Sequence, residues 1–238
     1  MAYYSSGNSF QKDNPAVFGL IVANVIVFVA QLFLKKINFT EWGALHYYTS
    51  PLFKPHQLIT SVFMHDIGNS IFIHIFFNMF CLYTFGTWLE KVWGSKRFFS
   101  FYMICGVGSS IVMMLSMPYS AGIAASSADV ISELGTDIAF NKEWLVNNNS
   151  AVGASGALMG LSAAFAYLFP NTELMLMFIP VPIKAKFLIP GFILLDLFGG
   201  FNRSGGGDGV GHFAHLGGAV IGFLIVFYWN KTNKKTFY

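Results

Sequence analysis

Four side chains in this sequence stand inside apolar runs that do not ordinarily tolerate them. Ser155 lies in Gly153-Ala154-Ser155-Gly156-Ala157, and His215 in Ala214-His215-Leu216-Gly217-Gly218. His74 and Asn78 share one apolar stretch at i and i+4, which places them on one face of a helix. Polar groups in such settings are costly and mark function by default. A serine hydroxyl is a weak nucleophile until a base takes its proton, and an imidazole is the side chain that does this near neutral pH. The oxyanion formed on attack needs hydrogen-bond donors aimed at it. Asn78, His74 and the backbone N–H of Ser155 at a helix start can supply them. No Asp or Glu is an obvious third member, so Ser155 and His215 read as a dyad. The segment is not the strand-borne G-x-S-x-G elbow, because residue 157 is Ala.

The elements that must position these groups follow from composition. The chain has 238 residues, 55% of them hydrophobic, with 27 Phe. Only 11% are charged, against about 25% in a soluble domain. So few charges cannot coat a soluble surface, and the same composition excludes disorder, collagen and coiled coil. A net charge of +3, scattered along the chain, excludes a nucleic-acid partner. The expected class is an all-α membrane protein lying in a lipid bilayer.

A span needs roughly 20 mostly apolar residues. Six are expected, at about 15–34, 71–89, 98–117, 155–169, 183–201 and 212–229, in one domain covering 1–238. No small-residue cleavage site follows the first, so it does not read as a removable signal peptide. With both termini cytoplasmic, nine Lys and Arg fall inside and five outside, of the 14 present. That bias favours cytoplasmic termini. Spans two, four and six then run from outside to inside, and His74, Asn78, Ser155 and His215 all fall in the outer half. Span four is short. From Ser155 to Phe169 it covers roughly 22 Å, which sets Ser155 roughly 8 Å below the outer boundary of a core about 30 Å thick. A nucleophile at that depth needs a water-filled cavity.

Gly156 with Gly160, and Gly218 with Gly222, form small-residue pairs that let helices approach closely. The aromatic segment 35–70 reads as an interfacial hairpin, segment 119–152 as a solvated loop, and Gly-rich 202–211 as a mobile one. Cys81 and Cys105 read as small buried hydrophobes. His212 reads as a supporting residue near His215, and His65 as shaping the first outer loop. His46 and His56 read as interfacial. Asp196, the lone carboxylate of span five, reads as a group neutralised by desolvation, paired with a polar neighbour or facing the substrate opening, a structural role being preferred, and Glu90 and Arg97 read as a brace about the short inner turn. No cofactor and no metal site are expected, since no His–acid cluster has a ligand spacing.

The ordered set of motifs resembles the rhomboid intramembrane serine proteases. The matching stretches are Leu58 to His65, His74 to Met79, Phe85-Gly86 with Leu89-Glu90, Gly94 to Phe98, Gly153 to Ala157, and Ala214 to Gly218. They cover roughly residues 55–222 in the family's order. The resemblance implies a six-helix core that cleaves transmembrane or membrane-proximal segments of membrane proteins. It casts Ser155 as nucleophile, His215 as general base, and His74 and Asn78 as the oxyanion-stabilising pair. It implies that span five acts as a lateral gate and 202–211 as a cap. Met159 stands where the family often has an aromatic, and the Trp-Arg pair of the first outer loop is absent, Trp42 being followed by Gly43. The expected location is a bacterial inner membrane. The alternative is a catalytically silent relative that binds membrane clients, though such relatives usually lack the serine or the histidine. A histidine-lined metal transporter would need further ligands and internal repeats, which are missing.

Overall fold

The structure is a computed structural model and describes residues 10–68, 71–126, 146–176, 179–201 and 211–232. Six long helices make the body: α1 (Pro15–Phe33), α2 (Ile71–Trp93), α3 (Ser95–Ser126), α4 (Ser155–Leu168), α5 (Ala185–Phe201) and α6 (His212–Thr232). Four of them, α1, α2, α3 and α6, are long and apolar enough to cross a bilayer. Their outward faces carry large apolar side chains such as Ile26, Phe33, Phe72, Phe76, Leu115 and Tyr228. A soluble protein does not expose such a belt, whereas hydrocarbon requires it.

The short helix α4 is the centre of the bundle and packs against α2, α3, α5 and α6. The physical reason is its sequence. Gly156, Ala157, Gly160, Ala163 and Ala164 give it a narrow girth, and all are buried. A helix that is apolar all round is buried all round. The α4–α6 contact is the closest. A Cβ on Gly222 would lie 2.5 Å from the Gly160 carbonyl oxygen, and one on Gly218 would overlap that of Gly156. The two glycine pairs therefore face each other across one helix crossing.

Helix ends follow local chemistry. α1 starts with Pro15 at its first position, where no N–H is needed. Glu90, buried on α2, accepts the next two N–H groups, from Ala16 at 2.9 Å and Val17 at 2.8 Å. The expected brace is thus Glu90 on α1, while the Arg97 guanidinium lies 3.9 Å from the Trp229 ring centroid. α2 stops at Gly94, whose φ of +76° suits glycine and turns the chain directly into α3.

Three expectations are corrected. α3 continues beyond Met117 through Pro118 to Ser126. A proline removes one helical bond, and the Ala- and Ser-rich residues that follow carry the helix on, so 119–126 is not loop. Span five begins at Ala185, because Ile179–Lys184 is the second strand, β4, of a hairpin with β3 (Glu173–Leu176). Pro180 and Pro182 keep this stretch out of a helix. Glu173 faces Lys184 across the hairpin. The segment after α1 is not a hairpin but a chain of short turns and helices at 35–37, 39–43 and 57–60. Its two-residue strand β1 (Leu45–His46) pairs with β2 (Ser150–Ala151), just ahead of α4. His46 is correspondingly buried and bonds the Ala44 carbonyl at 3.1 Å, while His56 stacks on Trp42. Residues 127–145 and 202–210 lie outside the described residues.

Candidate active site

Ser155 is the first residue of α4, and the first N–H groups of a helix lack intrahelical acceptors. Gly153, at φ +138°, bends the chain into this start, and its N–H bonds the Ser61 carbonyl at 3.0 Å. That bond ties the turn before Ser155 to the segment that follows α1. His215 lies in the first turn of α6, and the glycine crossing brings it to α4. The Ser155 Oγ–His215 Nε2 distance is 2.7 Å.

His74 and Asn78 line the same cavity as Ser155 and His215, a space of about 380 Å³ between α2, α3, α4 and α6. Asn78 is buried, and its Nδ2 has no hydrogen-bond partner among the described residues. A buried amide donor without an acceptor is uncommon and asks for a reason. A Cβ on Gly153 would sit 3.4 Å from Ser155 Oγ and 3.9 Å from His74 Cε1, so the His74 ring and the Ser155 hydroxyl flank one small space. The lining also includes Ser61, Ser109 and Ser110, polar residues suited to a water-holding space. All four residues singled out from sequence therefore border one cavity.

Of the readings open for Asp196, pairing with polar neighbours is the one the structure shows. Asp196 Oδ2, on α5, lies 3.0 Å from His215 Nδ1, and its Oδ1 lies 2.8 Å from His212 Nδ1. His212 thus stands beside His215 as expected, through a shared acid. A sequence signal existed in depth. Asp196 lies about one and a half turns before the outward end of α5, level with the start of α6. Depth alone does not say which way a side chain points.

A second, apolar cleft of about 700 Å³ opens between α2 and α5 and reaches His215. Phe77, Phe80 and Phe85 of α2 and Leu188, Phe192 and Leu195 of α5 line it, and Met159 of α4 and His215 of α6 are also in its lining. Behind the site, His65 is fully buried and its ring lies edge-on to His74, the centroids 5.6 Å apart. Gln31 on α1 holds its backbone with two bonds of 2.9 Å, which fixes the segment that follows α1. Burial lowers the His65 pKa to about 4, His74 pushes the same way, and the Phe63 carbonyl opposes. Among the described residues no group of three or more His, Cys, Asp or Glu is arranged to hold a metal ion.

Fold and site together define a polytopic helical membrane protein with a hydroxyl–imidazole centre sunk among its helices. The chain belongs to the rhomboid family, whose Rhomboid domain model matches residues 53–231. It is 30% identical to Rhomboid protein 1, mitochondrial, of Saccharomyces cerevisiae over 232 residues, covering 95% of this chain and 57% of that one. It is 31% identical to RHOMBOID-like protein 12, mitochondrial, of Arabidopsis thaliana, covering 95% and 61%. With Rhomboid protease AarA of Providencia stuartii the identity is 28%, covering 84% and 65%. The chain spans about three-fifths of the length of these relatives. Two of the three are named for mitochondria and one is bacterial, so the expected bacterial inner membrane finds no support here.

Proposed function

We propose that this chain is an intramembrane serine endopeptidase that cleaves transmembrane or membrane-proximal segments of membrane proteins. Ser155 is the nucleophile, His215 the general base, and His74 and Asn78 the oxyanion donors. The observation that carries the reading is the 2.7 Å Ser155–His215 contact in a cavity that Asn78 also lines, its Nδ2 without a partner among the described residues. A name among the relatives, Rhomboid protease AarA, supports the same class.

The chemistry runs as an acyl transfer. His215 Nε2 takes the hydroxyl proton as Ser155 Oγ bonds to the scissile carbonyl carbon. The carbonyl π pair becomes an oxyanion, held by Asn78 Nδ2, a His74 N–H and the Ser155 backbone N–H. The C–N bond then breaks, and the amine leaves with the proton from His215. Water from the hydroxyl-lined cavity repeats the sequence on the ester, and His215 again accepts and returns the proton. The apolar cleft between α2 and α5 suits a helical substrate arriving from lipid. The Lys and Arg bias supports a cytoplasmic side for the start of α1 and the end of α6, and the chain acts as one domain.

The test is cleavage of a single-span substrate in proteoliposomes by wild type, Ser155→Ala and His215→Ala. Cleavage by wild type alone is the expected result. Equal cleavage by all three refutes the dyad. No cleavage by any, together with no Ser155-dependent labelling by a fluorophosphonate, favours the silent client-binding alternative.

A further inference from the structure

A carboxylate meets the proposed base from the side away from the serine. We propose that Asp196 is a positioning residue that fixes the tautomer and rotation of His215, with His212 orienting the carboxylate. The proposal rests on the Ser–His reading above and turns the dyad into a line of three groups borne by three helices.

Hydrogen-bond inventory sets the tautomer. A neutral imidazole has one N–H, and an ionised carboxylate only accepts. His215 Nδ1, 3.0 Å from Asp196 Oδ2, therefore carries the hydrogen. Nε2 is left with its lone pair toward Ser155 Oγ, which is the state a general base needs. Without an acceptor at Nδ1 the ring is free to present N–H to the serine instead. During attack His215 becomes an imidazolium, and the carboxylate lies where that charge forms.

The surroundings fit a built arrangement. The Asp196 side chain is 16% exposed, and a charge so enclosed requires donors. It has one on each oxygen, both from α6 and three residues apart. The second needs room. A Cβ on Gly199 would lie 2.5 Å from His212 Cε1 and 2.8 Å from its Nε2, so glycine at 199 lets the His212 ring tuck under α5. A carboxylate serving only to tie α5 to α6 would need one histidine, and that one need not touch Ser155. Asp196 also rides on the helix that walls the apolar cleft, so the spacing of α5 and α6 sets the His215 contact.

The experiment uses the full chain in proteoliposomes with Asp196→Asn, Asp196→Ala and Asp196→Glu. Each is read for kcat and KM on the single-span substrate, for fluorophosphonate labelling, and for melting temperature. An Asn amide offers N–H to His215 Nδ1 and enforces the wrong tautomer, so kcat falls on the order of 10²–10⁴-fold with KM little changed. Ala leaves Nδ1–H to water and costs less than Asn, and Glu restores part of the activity. Asn worse than Ala is the signature a mere brace does not produce. Equal losses in Asn and Ala that track the melting temperature overturn the proposal. Nitrogen NMR of histidine-labelled protein reads it without activity: Nδ1–H in wild type and Nε2–H in Asp196→Asn are expected, and the same tautomer in both overturns it. Failure of the Ser–His reading shows separately, as labelling that persists in Ser155→Ala.

Discussion

The α4–α6 crossing is where packing and chemistry are most tightly coupled, and Gly218→Ala tests it. A Cβ at 218 would lie 2.7 Å from the Gly156 carbonyl carbon and 3.2 Å from its Cα, and would overlap its oxygen. Carbon–carbon contacts settle at about 3.5 Å or more, so α6 must retreat by about 1 Å. Neither helix can bend locally, since the obstacle is backbone on both sides. His215 is one turn before Gly218 on the same helix and moves with it. A retreat of about 1 Å along the Ser155–His215 line stretches 2.7 Å to about 3.7 Å, beyond hydrogen-bond range. Overpacking costs about 1–3 kcal/mol of stability, and misplacement of reacting groups by that distance costs about 10²-fold in rate. The assay pairs fluorophosphonate labelling of Ser155 with thermal unfolding in detergent. Gly19→Ala on α1 is the control, because nothing lies within 4 Å of a Cβ there. It should match or slightly exceed wild type, since alanine favours the helix. A Gly218→Ala protein with wild-type labelling and melting would refute the close-crossing argument.

Two further outcomes follow from buried polar groups. Glu90→Gln removes the charge that caps α1 at Ala16 and Val17 and should lower unfolding stability by about 1–3 kcal/mol; Glu90→Ala leaves both N–H groups bare and should cost more, and chemical unfolding that ranks Ala equal to wild type removes the cap. His65 has a folded pKa of about 4, below its ordinary 6.5, so the unfolded chain takes the proton first. The stability held above about pH 6.5 is lost as pH falls toward about 4, by up to ~3 kcal/mol, and levels off below. His65→Gln should flatten that decline in melting temperature, and an unchanged slope assigns the acid sensitivity elsewhere.

Much of this protein is legible in its sequence because lipid imposes simple rules. Apolar runs mark where the helices lie, since a span must satisfy its own backbone, although α3 runs on past its expected end at Met117 to Ser126. Ser155, His215, His74 and Asn78 stand out because polar groups in such runs are expensive, and their shared depth follows from counting residues. The paired glycines on α4 and α6 announce a close crossing. What sequence spacing does not carry is azimuth. Asp196 lies 16 and 19 residues before the histidines it contacts, across residues 202–210, and no local period relates α5 to α6. Which face of α5 turns toward His215 is decided by how α5 packs on α4 and α6. The same holds for Glu90, which finds the start of α1 more than 70 residues away. The apolar cleft exists because α5 stands off from α2 there, so it belongs to neither helix alone. Composition and hydrogen-bonding cost select the elements and mark the candidate groups, whereas only the packed bundle decides which of those groups face one another.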